Sequence, residues 1–199
     1  MNIISTPELD PTDSRQAALL DAAVGVFARY GFRKTSMEEV ARAAGVSRQG
    51  LYLQFANKEE LFRKALEHSL SSQLNAAVAA LSVRADSLES RIIAACDAWS
   101  GRFIGSLGAD AADLMCASTA LAGSTLTHYE SRFEAALSSA IADSPLHGFC
   151  ATTGMTPADL ARTLHATARG LKRSASREEF VKGMTVAARM FCAPLNRRK

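Results

Sequence analysis

An all-α fold is predicted for this chain of 199 residues by three features of its sequence. Apolar residues recur at helical spacing along almost every segment. Helix starts are written as a serine or asparagine followed three residues later by glutamate at Ser36/Glu39, Asn57/Glu60 and Ser176/Glu179, and as a threonine cap before proline at Thr156-Pro157. No run of four or more residues alternates as a strand between turn signals.

The first helix runs from about Asp13 to Tyr30, with Ala18, Leu19, Ala22, Ala23, Val26 and Phe27 on one face and Gly31 as a left-handed stop. The second begins at the Ser36 cap and stops at Gly45, and the third runs from Ser47 to near Phe55. From Asn57 onward Leu61, Phe62, Ala65, Leu66, Leu70, Leu74 and Val78 keep helical spacing to about Leu81. At ~1.5 Å per residue that helix spans ~36 Å, enough to link a small head to a separate body. Ser82 to Asp86 breaks the pattern. The body then holds helices over Leu88–Leu107, Ala109–Leu121 and Thr125–Ala142, a loop through Pro145, Gly148 and Gly154, and two closing helices begun at Thr156 and Ser176. The expected division is a flexible arm over 1–12, a helix-turn-helix domain over 13–57, a linking helix over 58–81 and a second helical domain over 82–199.

Composition narrows the class. A hydrophobic content of 48% with 22% charge describes an ordinary soluble protein. No apolar run reaches the ~18 residues of a membrane span, and Met1 to Asp13 lack the basic and apolar regions of a secretory signal, so a cytoplasmic location is expected. Cys96, Cys116, Cys150 and Cys192 are widely spaced with no Cys-x-x-Cys pair, which reads as reduced thiols serving mainly as small hydrophobes. No His, Cys and carboxylate cluster has metal-ligand spacing, and no cofactor motif is present. The net charge of +3 is unevenly spread. Residues 12–64 carry nine Lys/Arg against six Asp/Glu, whereas residues 169–199 carry nine against two. The most basic stretch is therefore at the C-terminus, where Arg197-Arg198-Lys199 reads as a solvated tail.

The chemistry sits in residues 36–58. A helix-turn-helix needs a small residue at the crossing, an apolar set to bury it and a glycine at the corner, and Ala41, the trio Val40, Val46, Leu51, and Gly45 supply these. Ser47, Arg48, Gln49, Gly50, Tyr52 and Gln54 are then left facing outward, mostly with side chains that hydrogen-bond base edges and phosphates.

Phe27 through Gly31, Thr35-Ser36, Ala41-x-x-Ala44-Gly45-Val46-Ser47, Leu51-Tyr52-x-x-Phe55 and Lys58-Glu59-x-Leu61 resemble the N-terminal domain of the tetracycline-repressor (TetR/AcrR) family over about residues 13–66. The shorter stretches Ala168-Arg169-Gly170-Leu171-Lys172 and Glu179-Phe180 are similar to a C-terminal subgroup of it. The resemblance implies a homodimeric regulator, a repressor whose two heads sit in successive major grooves of a palindromic operator and are released when a small molecule enters the body. It places Thr35, Ser36 and Lys58 at phosphate contacts, Ser47 at a cap that also touches phosphate, Tyr52 at the backbone or a thymine methyl, and Arg48 and Gln49 at the base-reading positions. Arg suits guanine O6/N7 and Gln suits adenine N6/N7. Gln54 stands where the family commonly has histidine, which keeps a donor without a charge.

The body carries the effector and assembly expectations. Trp99, Phe103, Met115, Tyr129 and Phe133 fall where a family member has its cavity. Each alone reads as core, and together they favour a flat, hydrophobic or amphipathic inducer, with His165 and His128 as candidate polar anchors. The resemblance also implies a four-helix dimer interface from the last two helices, for which Leu160, Leu164, Phe180, Met184, Ala187 and Ala188 are the apolar candidates. An enzyme is disfavoured, because the chain has no nucleophile elbow, no phosphate-cradling glycine loop and no motif-placed carboxylate pair.

Overall fold

A computed structural model describes residues 11–105 and 111–196. The expected arm lies outside these residues except for Pro11 and Thr12, as does the basic tail. The described residues are helical without strands: α1 Pro11–Lys34, α2 Met37–Ala43, α3 Arg48–Gln54, α4 Lys58–Leu81, α5 Leu88–Cys96, α6 Ala111–Ala142, α7 Leu146–Thr153, α8 Pro157–Leu171 and α9 Arg177–Asn196. A π-helical turn, Asp97–Gly101, follows α5. The described part of the chain forms two compact units, one from residues up to Ser69 with 111–121, the other from 70–105 with 122–196. Residues 111–121 were expected in the second domain; the division instead falls inside α4 and inside α6.

Local signals explain the element ends. Ser36 Oγ accepts from the Glu39 amide at 3.2 Å while the Glu39 carboxylate accepts from the Ser36 amide at 2.8 Å, a complete capping box. Thr156 and Asp159 repeat it at α8, with Pro157 at the first helical position. At α4 the reciprocal bond is shifted, since Asn57 accepts from the Glu60 amide and Glu60 reaches back to the Ala56 amide, both at 2.8 Å. Gly31 interrupts α1 at φ 77°, and Gly45 turns the chain between α2 and α3 at φ 67°, closed by the Val46 amide on the Ala41 carbonyl at 3.0 Å.

Three expected helical features differ, the first being the helix expected over Leu88–Leu107, which is α-helical only to Cys96 and continues as the π-helical turn to Gly101. The loop through Pro145 and Gly148 is the helix α7, ended by Gly154 at φ 70°; Pro145 precedes its first turn and Gly148 is carried inside it. The two helices expected on either side of 122–124 are one element, α6, whose only break is a non-helical Ala122.

The first unit is centred on Leu19, Ala23, Phe27, Val40, Leu51, Phe55, Leu61 and Phe62, all buried. Phe62 meets Phe27 and Phe32 edge-on, with ring centroids 5.0 and 5.1 Å apart. Leu114, Ala117 and Leu121 of α6 pack against the same core. Arg33 ties this segment down, donating from its amide and from Nε to the Asp113 carboxylate, each at 2.8 Å. The second unit is built on α9, which packs against α5, α7, α8 and the π-turn around Ile92, Phe133, Leu137, Ile141, Leu164, Phe180 and Met184. Arg177 braces the π-turn by donating from Nε to Asp97 at 2.8 Å.

Candidate functional site

In α3 only Leu51 is buried, and its 0% exposure anchors a seven-residue helix whose remaining side chains are turned away from the core. Ser47 caps this helix, its Oγ accepting from the Gly50 amide at 3.0 Å. Gly50 suits that cap, since a Cβ there would stand 3.1 Å from the same oxygen. The Arg48 guanidinium lies 5.7 Å from the Tyr52 ring centroid, a cation–π contact that leaves the N–H groups available. Gln49 and Gln54 are exposed, and Gln54 Nε2 leans toward the Gly50 carbonyl at 3.5 Å. Ser47, Arg48, Gln49, Gly50, Tyr52 and Gln54 thus share one short exposed element, with Ser36 at the start of α2.

The Thr35 and Lys58 side chains are both engaged inside the head, whereas the phosphate contact expected at Thr35 rests on main-chain N–H groups at the start of α2. Thr35 is buried, and its hydroxyl donates to the Gly31 carbonyl at 2.7 Å. The Lys58 ammonium donates to the carbonyls of Phe32 and Thr35 at 3.0 Å and of Arg33 at 3.4 Å, and lies 4.5 Å from the centroid of the Phe32 ring. An ammonium has three donors, and three carbonyls take them. Its role is to close the end of α1 onto the start of α4. Glu39, held below its ordinary value by the Ser36 amide and hydroxyl, puts a negative charge beside Ser36.

The effector candidates divide. Trp99 stacks on Phe133 at 5.0 Å between centroids and 14° between planes, and its Nε1 donates to His165 Nε2 at 3.4 Å. Nε2 is then the acceptor, so His165 donates from Nδ1 to Glu134 Oε1 at 2.7 Å. All three rings are buried, which makes a polar relay inside an aromatic cluster. Tyr129 is buried too, edge-on to the exposed His128 at 5.5 Å. Phe103 is half-buried beneath the Arg102 guanidinium. Met115 does not join the cluster: it is 68% exposed and belongs to the first unit. A half-open apolar cavity of about 360 Å³ also lies among Phe149, Met155, Leu160, Met190, Phe191, Ala193 and Pro194, and none of the six expected residues lines it.

The dimer candidates need the plainest correction. Leu160, Leu164, Phe180, Met184 and Ala188 are buried within the second unit, and Ala187 is half-buried. A side chain already covered by its own subunit has no surface to offer a partner. The apolar stripe shared by α8 and α9 is the unit's core, and the outward apolar residues of α9 are Val186 at 65% exposure and Met190 at 72%.

Three cysteines are buried. Burial pushes the Cys96 thiol up to about 12 and Cys192 up to about 11, and raises Cys150, whereas Cys116 is exposed. Among the described residues no group of three or more His, Cys, Asp or Glu is placed to hold a metal ion, and no helix is long and apolar enough to cross a membrane.

A three-helix head with a capped, outward-facing second helix across a glycine turn is the architecture of a helix-turn-helix regulatory protein. Residues 19–65 match the profile of the bacterial regulatory proteins of the tetR family, and the N-terminal domain of this chain belongs to that family. Over 62 residues it is 47% identical to the uncharacterized HTH-type transcriptional regulator YfiR of Bacillus subtilis, covering 31% of this chain and 30% of that protein. Over 89 residues it is 35% identical to the HTH-type transcriptional activator FasR of Mycolicibacterium smegmatis, covering 45% of this chain and 40% of that one. The chain thus spans less than half the length of these relatives in the matched region. Beyond the head the likeness is one of fold. A crystal structure of a putative TetR-family regulator from Mesorhizobium loti superposes with a TM-score of 0.67 at 18% identity, covering 94% of this chain and 98% of that one.

Proposed function

We propose that this protein is a homodimeric, ligand-responsive transcriptional regulator, a repressor that leaves a palindromic operator when a small hydrophobic or amphipathic inducer binds the second unit. The observation that carries the reading is α3, a capped helix with one buried anchor and an outer surface that is polar except at Leu53, set in a head that matches the tetR profile. Arg48 and Gln49 read bases, while Ser36, Ser47, Gly50, Tyr52 and Gln54 serve the backbone and register. One such helix reads too few base pairs to be specific in a genome, which favours two copies related by a two-fold axis. The exposed face of α9 around Val186 and Met190 supplies apolar surface for that pairing. The inducer site is assigned to the surroundings of Trp99, Phe133 and His165, where an aromatic wall and a carboxylate-linked imidazole stand together.

The test is selection of bound fragments from the genome that encodes the protein, followed by titration of the selected duplex at two salt concentrations. Sequence-specific retention that weakens with salt is expected; uniform binding of all fragments, or none, defeats the reading. Quenching of Trp99 fluorescence by compounds that release the DNA is the matching readout for the effector site.

A further inference from the structure

Leu53 is the most exposed large apolar residue among those described, at 81%. It follows Leu51, the buried anchor of α3, by two positions. At ~100° per residue Leu53 stands ~200° and Gln49 ~160° around the helix from Leu51, so these two, four residues apart, form the outermost ridge. Arg48 and Tyr52 form one flank, joined by their cation–π contact, and Gly50 and Gln54 the other. With almost all its surface in water, Leu53 adds next to nothing to the core. It has no donor or acceptor either. Its neighbours on the ridge and flanks, Arg48, Gln49, Tyr52 and Gln54, all carry N–H or O–H donors, and α3 contains no carboxylate. That company suits a polyanion with base edges rather than an apolar protein face.

The one apolar group that a base pair presents in the major groove is the C5 methyl of thymine. We infer that Leu53 is a specificity-determining residue that covers a thymine methyl in each operator half-site, close to an adenine read by Gln49. This rests on the DNA-reading function proposed above and deepens it, by naming an A·T-containing step as the substrate of α3. Four residues advance ~6 Å along the helix against ~3.4 Å per base pair, so the two contacts fall one or two base pairs apart.

The full-length protein is used to select duplexes from a randomised library, and the enriched duplex is then remade with each thymine in turn replaced by deoxyuridine, which removes only the methyl group. For the wild type, one position per half-site should lose about fourfold in affinity, the factor for one buried methyl. In Leu53→Ala, an exposed change that leaves the melting temperature in place, that penalty should vanish while penalties at other positions stay. An enriched motif that is indifferent to deoxyuridine, or a penalty equal in wild type and Leu53→Ala, overturns the role of Leu53 and leaves the regulator standing. Failure to enrich any sequence overturns the regulator and this inference together.

Discussion

Removing the Lys58 ammonium should loosen the joint between α1 and α4 more than it weakens any contact with phosphate. Its three N–H groups meet the carbonyls of Phe32, Arg33 and Thr35, so Lys58→Ala leaves carbonyls without their charged donor. The expected cost is about 1–3 kcal/mol in denaturant unfolding, with the salt slope of DNA binding unchanged. Loss of a phosphate contact would instead lower that slope by about one. Arg91 points the other way. It lies on the buried face of α5, and its Nε has no hydrogen-bond partner. Arg91→Met keeps the stem and removes the buried charge, and should raise stability by about 1–3 kcal/mol in urea unfolding. Neither contact was legible in the sequence. The carbonyls that engage Lys58 are 23 to 26 residues away, and a lysine at a helix start looks the same whether it faces solvent or the back of another helix.

Elements were legible where their signals are local. Ser36 with Glu39 closes within one turn and is a capping box in the structure, and Thr156 before Pro157 caps α8 as its sequence reads, with Asp159 completing a box the sequence reading did not name. The glycine corner at Gly45 follows the same rule, and of the apolar trio Val40 and Leu51 are buried while Val46 is half-buried against the same core. What periodicity cannot say is which surface covers an apolar stripe. Leu164, Phe180 and Met184 have the spacing of an interface and of a core alike, and the packing of α8 against α9 settles them as core. A paired experiment separates the two roles on α9. Phe180→Ala should cost the subunit about 3–5 kcal/mol, as truncation of a fully buried ring does. Met190→Glu should leave helix content and unfolding free energy per subunit nearly unchanged while shifting light scattering from dimer to monomer. If Met190→Glu remains a dimer at micromolar concentration, the pairing surface lies elsewhere.

At the scale of the whole molecule, acid should act on both units at once. Glu39 is held below its ordinary 4.5 by the Ser36 amide, Asp113 below 3.8 by the Arg33 amide, and Asp159 below 3.8 by the Thr156 hydroxyl. A carboxyl with a depressed folded value contributes stability that is complete above its unfolded value and is lost as pH falls through the folded one. Denaturation free energy should therefore be insensitive to these groups above about pH 5 and should fall steadily below about pH 4. Glu39→Gln should flatten part of that fall in melts taken from pH 6 to pH 3; an unchanged profile would mean the Glu39 carboxylate is no better placed in the folded chain than in the unfolded one.

The path of α6 also bears on how such a protein can be recombined. Its first turns, through Leu114, Ala117 and Leu121, are staves of the head's own core, and its later turns, after the break at Ala122, belong to the other unit. The head is therefore not a cassette that a single cut can lift out. A chimera joined after Ser69 would graft α1, α2 and α3 onto a foreign body but leave behind the segment that seals them, along with the carboxylate that holds Arg33. Exchange of binding specificity between such chains by one crossover would need the donor's and recipient's α6 to be interchangeable. Swapping only the outward residues of α3 avoids that demand, because none of them supports the core that α6 completes.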